Sequence, residues 1–282
     1  SSATRNKYRN LLIHMRSIIC CLFLLIFSSN SFSVNSNLIL AESFPNKLSE
    51  FEFFLDASAQ EPHESVIPYE LISTLFSDYS YKQRWVYVPD NAQATYVKDW
   101  VFDFPEGSAL IKTFYYPVDE RYPELGKQLL ETRLLLRKKD GWKAVSYAWN
   151  ENQDEAYKKI AGKTINASWI DFMGDERQVR YRVPNANQCK ECHAAKGAIT
   201  PIGPKAKNIN KDFHFADGEF NQLNYWMKRE IIDKFPKDII SPVDWRDETQ
   251  NINDRARSYL DVNCGHCHSR TGNANSTGLY LD

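Results

Sequence analysis

Two five-residue stretches constrain this chain most, because each one prescribes what must bind to it. They are Cys189-Lys190-Glu191-Cys192-His193 and Cys264-Gly265-His266-Cys267-His268, and both have the pattern C-x-x-C-H. Two thiols three residues apart lie within about one helical turn, so both can bond to one porphyrin. The histidine that follows can ligate the iron, and C-x-x-C-H is the attachment sequence for c-type haem. We therefore predict two covalently bound haem c groups. The predicted attachment residues are Cys189, Cys192, Cys264 and Cys267, and the predicted proximal iron ligands are His193 and His268.

The competing chemistries are a zinc site, a redox dithiol and a structural disulfide. Zinc sites of this kind place two C-x-x-C elements about 15–20 residues apart. Here 71 residues separate Cys192 from Cys264. A thioredoxin-like C-x-x-C needs no histidine after it. With six cysteines and six histidines in 282 residues, about 0.003 matches to C-x-x-C-H are expected by chance, so two matches favour haem.

The second axial ligands are less constrained by the sequence. Met227 and His214 are the nearest candidates downstream of the first motif. Core packing is the more common role of a methionine in an apolar stripe, and a satisfied core histidine explains His214 equally well. His266 lies inside its own motif, where we expect it to face solvent. A carbonyl in the loop after the first motif, at Pro201 or Pro204, is a candidate for orienting the proximal imidazole there.

An apolar run near the start of the chain predicts a secretory signal. Met15-Arg16 forms a short basic end, Ile18–Phe27 is apolar, and Ser28–Ser33 is small and polar. The run is shorter than the roughly 20 apolar residues that a spanning helix needs. We therefore assign residues 1–33 to upstream residues and a signal peptide. We expect export to the bacterial periplasm or the cell surface, and no transmembrane segment.

The charge balance bears on the partners. The formal net charge is −1 and no basic block occurs, so nucleic acid is not an expected partner. Without the signal, four cysteines remain and all belong to the two motifs, which leaves none for a disulfide framework.

The hydrophobic periodicity changes once along the chain. A polar leader with one short helix is expected over 34–64, and another short helix over Tyr69–Phe76. From about residue 83 to 183 the pattern has period two and is divided by turn residues such as Asp140-Gly141. The predicted strands are Arg84–Val88, Tyr96–Phe104, Leu110–Tyr116, Leu129–Arg137, Gly141–Trp149 and Gln178–Val183. After Pro184 the pattern is helical, over Phe220–Phe235 and Asn251–Asn263. The predicted fold class is α+β, with an N-terminal antiparallel β-sandwich-like domain over 65–185 and an α-helical cytochrome c-like dihaem region over 186–282.

The segment Ala256–His268 resembles the first helix and haem site of a class I cytochrome c. Most of residues 65–282 resembles a family of exported bacterial dihaem c-type cytochromes, conserved hypothetical proteins with two C-x-x-C-H motifs. The matching stretches are Pro68–Tyr79, Phe104–Pro117, Glu131–Asn150, Pro184–His193, Thr200–Asn210 and Arg255–Asp282. The resemblance implies a periplasmic or surface-exposed haem protein, sometimes encoded beside a parallel β-helix protein, and supplies no reaction. Only fourteen residues follow His268, and both families continue further, so we expect a chain truncated at its C-terminus.

These features predict a protein that carries single electrons between redox partner proteins, rather than a self-sufficient enzyme. The alternative is a dihaem peroxidase or the haem subunit of a periplasmic dehydrogenase. A peroxidase needs an exchangeable axial position with an acid/base group beside it, and the sequence identifies no such group. A third interpretation makes the β-rich domain a carbohydrate- or protein-binding module.

Overall fold

A meander of six antiparallel strands is the largest element of this fold. The computed structural model describes residues 33–195 and 197–282. Its strands are β1 (Phe54–Asp56), β2 (Glu61–Pro62), β3 (Val66–Pro68), β4 (Tyr81–Tyr87), β5 (Ala109–Pro117), β6 (Lys127–Lys138), β7 (Gly141–Trp149), β8 (Ala156–Lys158), β9 (Lys163–Ile170), β10 (Glu176–Val183), β11 (Ala194–Ala195), β12 (Ala198–Ile199), β13 (Asp212–Phe215) and β14 (Gly218–Asn221). Strands β3 to β8 form one sheet in chain order, and the other strands form two-stranded sheets of consecutive partners.

Five short α-helices complete the described part of the chain. They are α1 (Ser36–Leu40), α2 (Ala186–His193), α3 (Ala206–Ile209), α4 (Gln222–Lys228) and α5 (Ile252–Leu260). None of the described helices combines the length and the apolar character that crossing a bilayer requires. The predicted signal region, residues 1–33, lies outside the described residues except for Ser33.

The central strands confirm the alternation read from the sequence. The predicted strand Gly141–Trp149 is β7, and the segment Leu129–Arg137 lies within β6. Gly141 begins β7 with a φ of +109°, a backbone region that glycine enters without steric cost, so the Asp140-Gly141 turn joins the two strands. The other predicted strands found in the structure correspond to β4, β5 and β10.

The predicted strand Tyr96–Phe104 is wrong. This segment makes only isolated bridges, from Thr95 to Asp103 and from Val101 to Lys205. Asp99 has a φ of +57°, which reverses the local chain direction and prevents a continuous ladder.

Three apolar clusters pack against the sheet in the described part of the chain, and the two larger ones lie on opposite faces. On one face Trp85, Ile111 and Leu134 stand in register and are buried with Ile39 of α1. The predicted short helix of the leader is therefore confirmed, and its segment is part of the core.

The other face buries Val86 and Leu110 against Leu223 and Trp226 of α4. Residues on both sides of position 185 thus share one core, within a compact unit from Val34 to Asp282.

The predicted α+β class, a β-sandwich-like domain followed by an α-helical cytochrome c-like region, is wrong. The fold is mostly β, and a β domain is present, but the described part of residues 186–282 holds only short helices. Helices α2, α3, α4 and α5 contain 8, 4, 7 and 9 residues. Two-stranded β elements and long irregular segments separate them.

The physical reason is clearest in the segment Phe220–Phe235. Its apolar spacing is helical, yet α4 ends at Lys228 because Glu230 has a φ of +57°. After this residue the chain turns back, and the N–H of Ile231 donates to the carbonyl of Trp226 at 2.8 Å. The Ile231 side chain is therefore buried although it lies outside the helix. The periodicity therefore reports burial here, beyond the end of the helix.

The predicted helix Tyr69–Phe76 is wrong for a related reason. Its backbone bonds to a distant residue instead of to itself, because the N–H of Ile72 donates to the carbonyl of Asn208 at 2.8 Å. The Asn208 side chain accepts from the N–H of Ser73 at 2.8 Å and donates to the Ser73 carbonyl at 2.9 Å.

Candidate functional site

The first motif lies on α2, which begins with a capping box. The Asn185 side chain accepts a hydrogen bond from the Gln188 N–H at 2.9 Å, and the Gln188 side chain accepts one from the Asn185 N–H at 3.0 Å. These two bonds satisfy donors that a helix start otherwise leaves exposed. Cys189 and His193 are four residues apart, so the helix places them on one face.

A backbone carbonyl fixes the orientation of the His193 ring. Its Nδ1 lies 2.9 Å from the carbonyl oxygen of Thr200. A carbonyl only accepts, so Nδ1 carries the proton and Nε2 keeps its lone pair, as an iron-ligating imidazole requires. The structure gives this role to the residue immediately before Pro201, and neither Pro201 nor Pro204 has it.

The turn after α2 brings Thr200 back to His193. Strand β11 follows α2 directly and pairs with β12, with Gly197 between them at a φ of +78°. The N–H of Thr200 donates to the His193 carbonyl at 2.7 Å, which closes the loop. Burial, followed by the charge of Lys112, lowers the pKa of His193 to about 4, so the neutral imidazole predominates at physiological pH.

A cavity of about 520 Å³ separates α2 from the sheet. Cys189 and His193 line it from the helix side. Leu110 and Leu135 line it from the sheet, and a set of cationic side chains lies beside them. The volume falls in the range of small-molecule and cofactor sites. The cationic residues in the lining are Lys82, Arg84, Lys112, Arg133, Arg182, Lys205 and Lys207.

The second motif follows α5. Asn251 caps this helix by accepting from the Asn253 N–H at 2.9 Å, so the predicted helix Asn251–Asn263 is confirmed in its main part. The helix widens into a π-helical turn over Asp261–Gly265, which carries Cys264. The next turn is closed by the N–H of His268, which donates to the Cys264 carbonyl at 2.8 Å. The motif residues thus follow one another around a tight helical end.

Gly272 lets the chain return closely over the second motif. A Cβ at this position would lie 2.3 Å from the Cys267 carbonyl oxygen and 2.6 Å from that of His266. Real Cβ atoms do not come this close to backbone, so only glycine fits without a shift. The N–H of Ala274 then donates to the Cys267 carbonyl at 3.0 Å.

The two motifs lie side by side. Ala195, next to α2, forms an antiparallel bridge with Gly272. The Asn273 side chain donates to the carbonyl of Glu191, inside the first motif, at 3.2 Å. His193 and His266 both line the 520 Å³ cavity and a neighbouring cavity of about 370 Å³. The structure therefore brings together two sites that are distant in sequence.

The candidates for the second axial positions are placed differently. Met227 is 44% exposed and the His214 side chain is 81% exposed, and neither lines the cavity of Cys189 and His193. His266 does line it, is half-buried, and has a buried Nδ1 without a hydrogen-bond partner among the described residues. The expectation that His266 faces solvent is therefore wrong.

Cys189, Cys264 and Cys267 are each half-buried. Within residues 33–195 and 197–282, no three or more side chains of His, Cys, Asp or Glu converge as a metal-binding group. The sequence did not indicate the role of Thr200 or the half-buried position of His266, since both depend on how the loops fold back.

The functional interpretation rests on this geometry and on the motifs themselves. Compared with known proteins, the chain matches no protein-family model, no curated protein and no solved structure.

Proposed function

We propose that this chain carries single electrons between redox partner proteins through two covalently bound haem c groups. The residues that would hold the first haem are Cys189, Cys192 and His193, and those for the second are Cys264, Cys267 and His268. Haem supplies one-electron chemistry when bound, because its iron is stable in two oxidation states. The chain supplies the thiols, the axial imidazoles and the surroundings that set the reduction potentials.

The contact between the two motifs carries this proposal. Electron transfer slows steeply with distance, so a protein that passes electrons between two haems must attach them close together. The bridge from Ala195 to Gly272 and the bond from Asn273 to Glu191 hold the two attachment sequences adjacent, although 71 residues separate Cys192 from Cys264. Neither a zinc site nor a redox dithiol would require this arrangement.

The surroundings of the first motif fit a haem. His193 presents Nε2 for ligation because Nδ1 is bonded to the Thr200 carbonyl. The cavity beside it has apolar side chains, such as Leu110 and Leu135, that suit a macrocycle. Among the described residues, the histidines that line the cavity are His193 and His266, and no methionine lines it. His266 would therefore be a second residue to hold the iron.

The proposed location is the bacterial periplasm or the cell surface. The signal-like pattern of residues 15–33 supports export, and c-type haem is attached outside the bacterial cytoplasm.

Intact-mass spectrometry of the chain, expressed with haem-maturation machinery, tests the proposal. We expect two added haem masses in the wild type and one in each of the double variants Cys189→Ser/Cys192→Ser and Cys264→Ser/Cys267→Ser. A bare polypeptide mass, or bound zinc in place of haem, would overturn the proposal. Turnover of peroxide together with binding of carbon monoxide by the reduced protein would favour a peroxidase instead.

A further inference from the structure

A row of cationic side chains crosses three neighbouring strands of the sheet in register. Arg84 on β4 is opposite Lys112 on β5, and Lys112 is opposite Arg133 on β6. Ser146 on β7 extends the row, and Lys82 lies two residues before Arg84 on the same face. Directly opposed residues in an antiparallel sheet have Cβ atoms about 4.5–5.5 Å apart, and like charges in such positions repel. The row by itself therefore does not stabilise the sheet.

The row lacks enough negative charge to balance it. Its ion pair joins Arg133 to the fully buried Glu131, which also accepts from the Tyr181 hydroxyl at 2.6 Å. Among the described residues, no carboxylate lies within 4.0 Å of the side-chain nitrogens of Lys82, Arg84 or Lys112. One carboxylate thus faces four basic side chains.

The other contacts in the row do not supply the missing charge. The Phe114 ring centroid lies 5.0 Å from Lys112 Nζ, 4.2 Å from Arg133 Cζ and 5.9 Å from Lys82 Nζ. The ring thus offers three cation–π contacts and no counter-ion. Ser146 is only 4% exposed, and its Oγ has no hydrogen-bond partner among the described residues. Arg133 Nε is likewise buried and unbonded within that part of the chain. Buried donors without acceptors are costly, so the site is built for a ligand that accepts hydrogen bonds.

The row faces the first motif across the cavity. Its four cations and Ser146 line the cavity together with Cys189 and His193. Next to the row, Leu110 and Leu135 are opposite each other and line the same cavity. The sheet therefore presents an apolar strip beside a cationic strip.

We propose that the side chains of Lys82, Arg84, Lys112 and Arg133 bind the two propionate carboxylates of the porphyrin attached at Cys189. This inference rests on the proposed function. A porphyrin of this kind is apolar except for two carboxylates on one edge, which matches the two strips. Two carboxylates with Glu131 bring three negative charges against four cations. The β-sheet is then one wall of the first haem site.

The test uses the haem-loaded protein and the variant Lys112→Gln, with Lys82→Gln/Lys112→Gln as a stronger second variant. Losing a positive charge beside the propionates favours the ferric state, so we expect the reduction potential of one haem to fall while the other stays unchanged. The propionate bending modes in the resonance Raman spectrum should shift for the same haem. Intact-mass spectrometry should still show two haems.

Two control variants separate pairing from a general effect of charge. Arg182→Gln removes a cation that lines the same cavity but lies on β10, outside the row. Lys143→Gln removes a half-exposed lysine on β7 that is ion-paired with Asp140. We expect unshifted propionate modes in both controls.

Three results would overturn the inference. Unchanged potentials and Raman modes in both row variants, with two haems present, would reject the propionate contact and leave the proposed function standing. A potential that responds to added inorganic phosphate in the wild type but not in Lys112→Gln would assign the row to a free anion instead. A wild-type chain without haem would reject the proposed function, and this inference with it.

Discussion

Ala195 and Gly272 form an antiparallel bridge, two residues after the histidine of the first motif and four residues after that of the second. The contact ties two short loops to each other. It makes the relative placement of the two motifs depend on a few backbone positions near Gly272.

Replacing Gly272 by Ala should loosen this contact. The new Cβ would overlap the carbonyl oxygens of Cys267 and His266, so the backbone must shift. We expect a loss of about 1–3 kcal/mol in the free energy of unfolding. The matched control is Gly203→Ala, where a Cβ would meet only Leu71 Cδ1 at an ordinary 3.7 Å. Equal urea-unfolding midpoints for the two variants would contradict the close approach.

Replacing His266 by Ala tests its assignment as an axial ligand. We expect the reduced protein to gain a carbon monoxide-binding iron, seen as a shift of its absorption bands. His214→Ala and Met227→Leu are the comparisons, because both side chains are exposed and lie away from the cavity. A spectral change in either comparison, with none in His266→Ala, would return the role to the residue that caused it.

Replacing Glu131 by Gln should destabilise the sheet strongly. Glu131 is fully buried and is the carboxylate paired with the half-buried Arg133, so its loss leaves that cation uncompensated. Breaking a buried pair in this way costs about 3–5 kcal/mol. Tyr181→Phe removes the 2.6 Å hydrogen bond to the same carboxylate and the longer 3.4 Å bond that the hydroxyl accepts from Arg133, and it should cost about 1 kcal/mol. Chemical denaturation measures both, and similar losses would show that the charge of Glu131 contributes little.

Lys82 predicts a pH dependence for the chain without haem. Burial, and then the charge of Arg84, lowers the pKa of Lys82 to about 7, whereas the unfolded value is about 10.4. Between these pH values the unfolded chain holds a proton that the folded chain has released. The stability therefore rises with pH in this window, and it falls as the pH drops, until the loss is complete below pH of about 7.

Lys82→Met should remove this contribution. We expect the free energy of unfolding to increase on the order of 2 kcal/mol at pH of about 7, relative to the wild type. Its rise between pH of about 7 and pH of about 9.5 should be smaller than in the wild type. Urea unfolding measures both. Lys143→Met, at a half-exposed and ion-paired lysine, should leave the rise of stability with pH unchanged. If the free energy of unfolding of Lys82→Met rose with pH as steeply as that of the wild type, Lys82 would be charged in the folded chain throughout this range.

The sequence predicts the central strands well because their signals are local. Alternation over Leu129–Trp149 with Asp140-Gly141 at the turn gives the β6–β7 hairpin almost to the residue. The predicted helices Phe220–Phe235 and Tyr69–Phe76 are wrong because their apolar spacing reflects burial and not a helix. The positive φ of Glu230 redirects the backbone in the first segment, and the contacts of Asn208 do so in the second.

In the candidate site, too, the local features could be predicted from the sequence and the contacts between distant segments could not. The motif cysteines and histidines are visible in the sequence, but the Thr200 carbonyl becomes a partner only through the turn at β11 and β12. The cationic row depends on strand register, which joins positions as distant as Arg84 and Arg133. In the sequence, the row is indicated only by charged residues at inward positions of otherwise apolar strands, as at Lys112.

The cationic row also disfavours incorrect register between the strands of the sheet. A slip of one residue reverses the face of every side chain on a strand. In β5 such a slip would push Lys112 into the apolar core that holds Ile111 and bring Ile111 out in its place. Charges that repel one another in the correct alignment would be worse placed in the shifted one, so they discriminate against misaligned strands during folding.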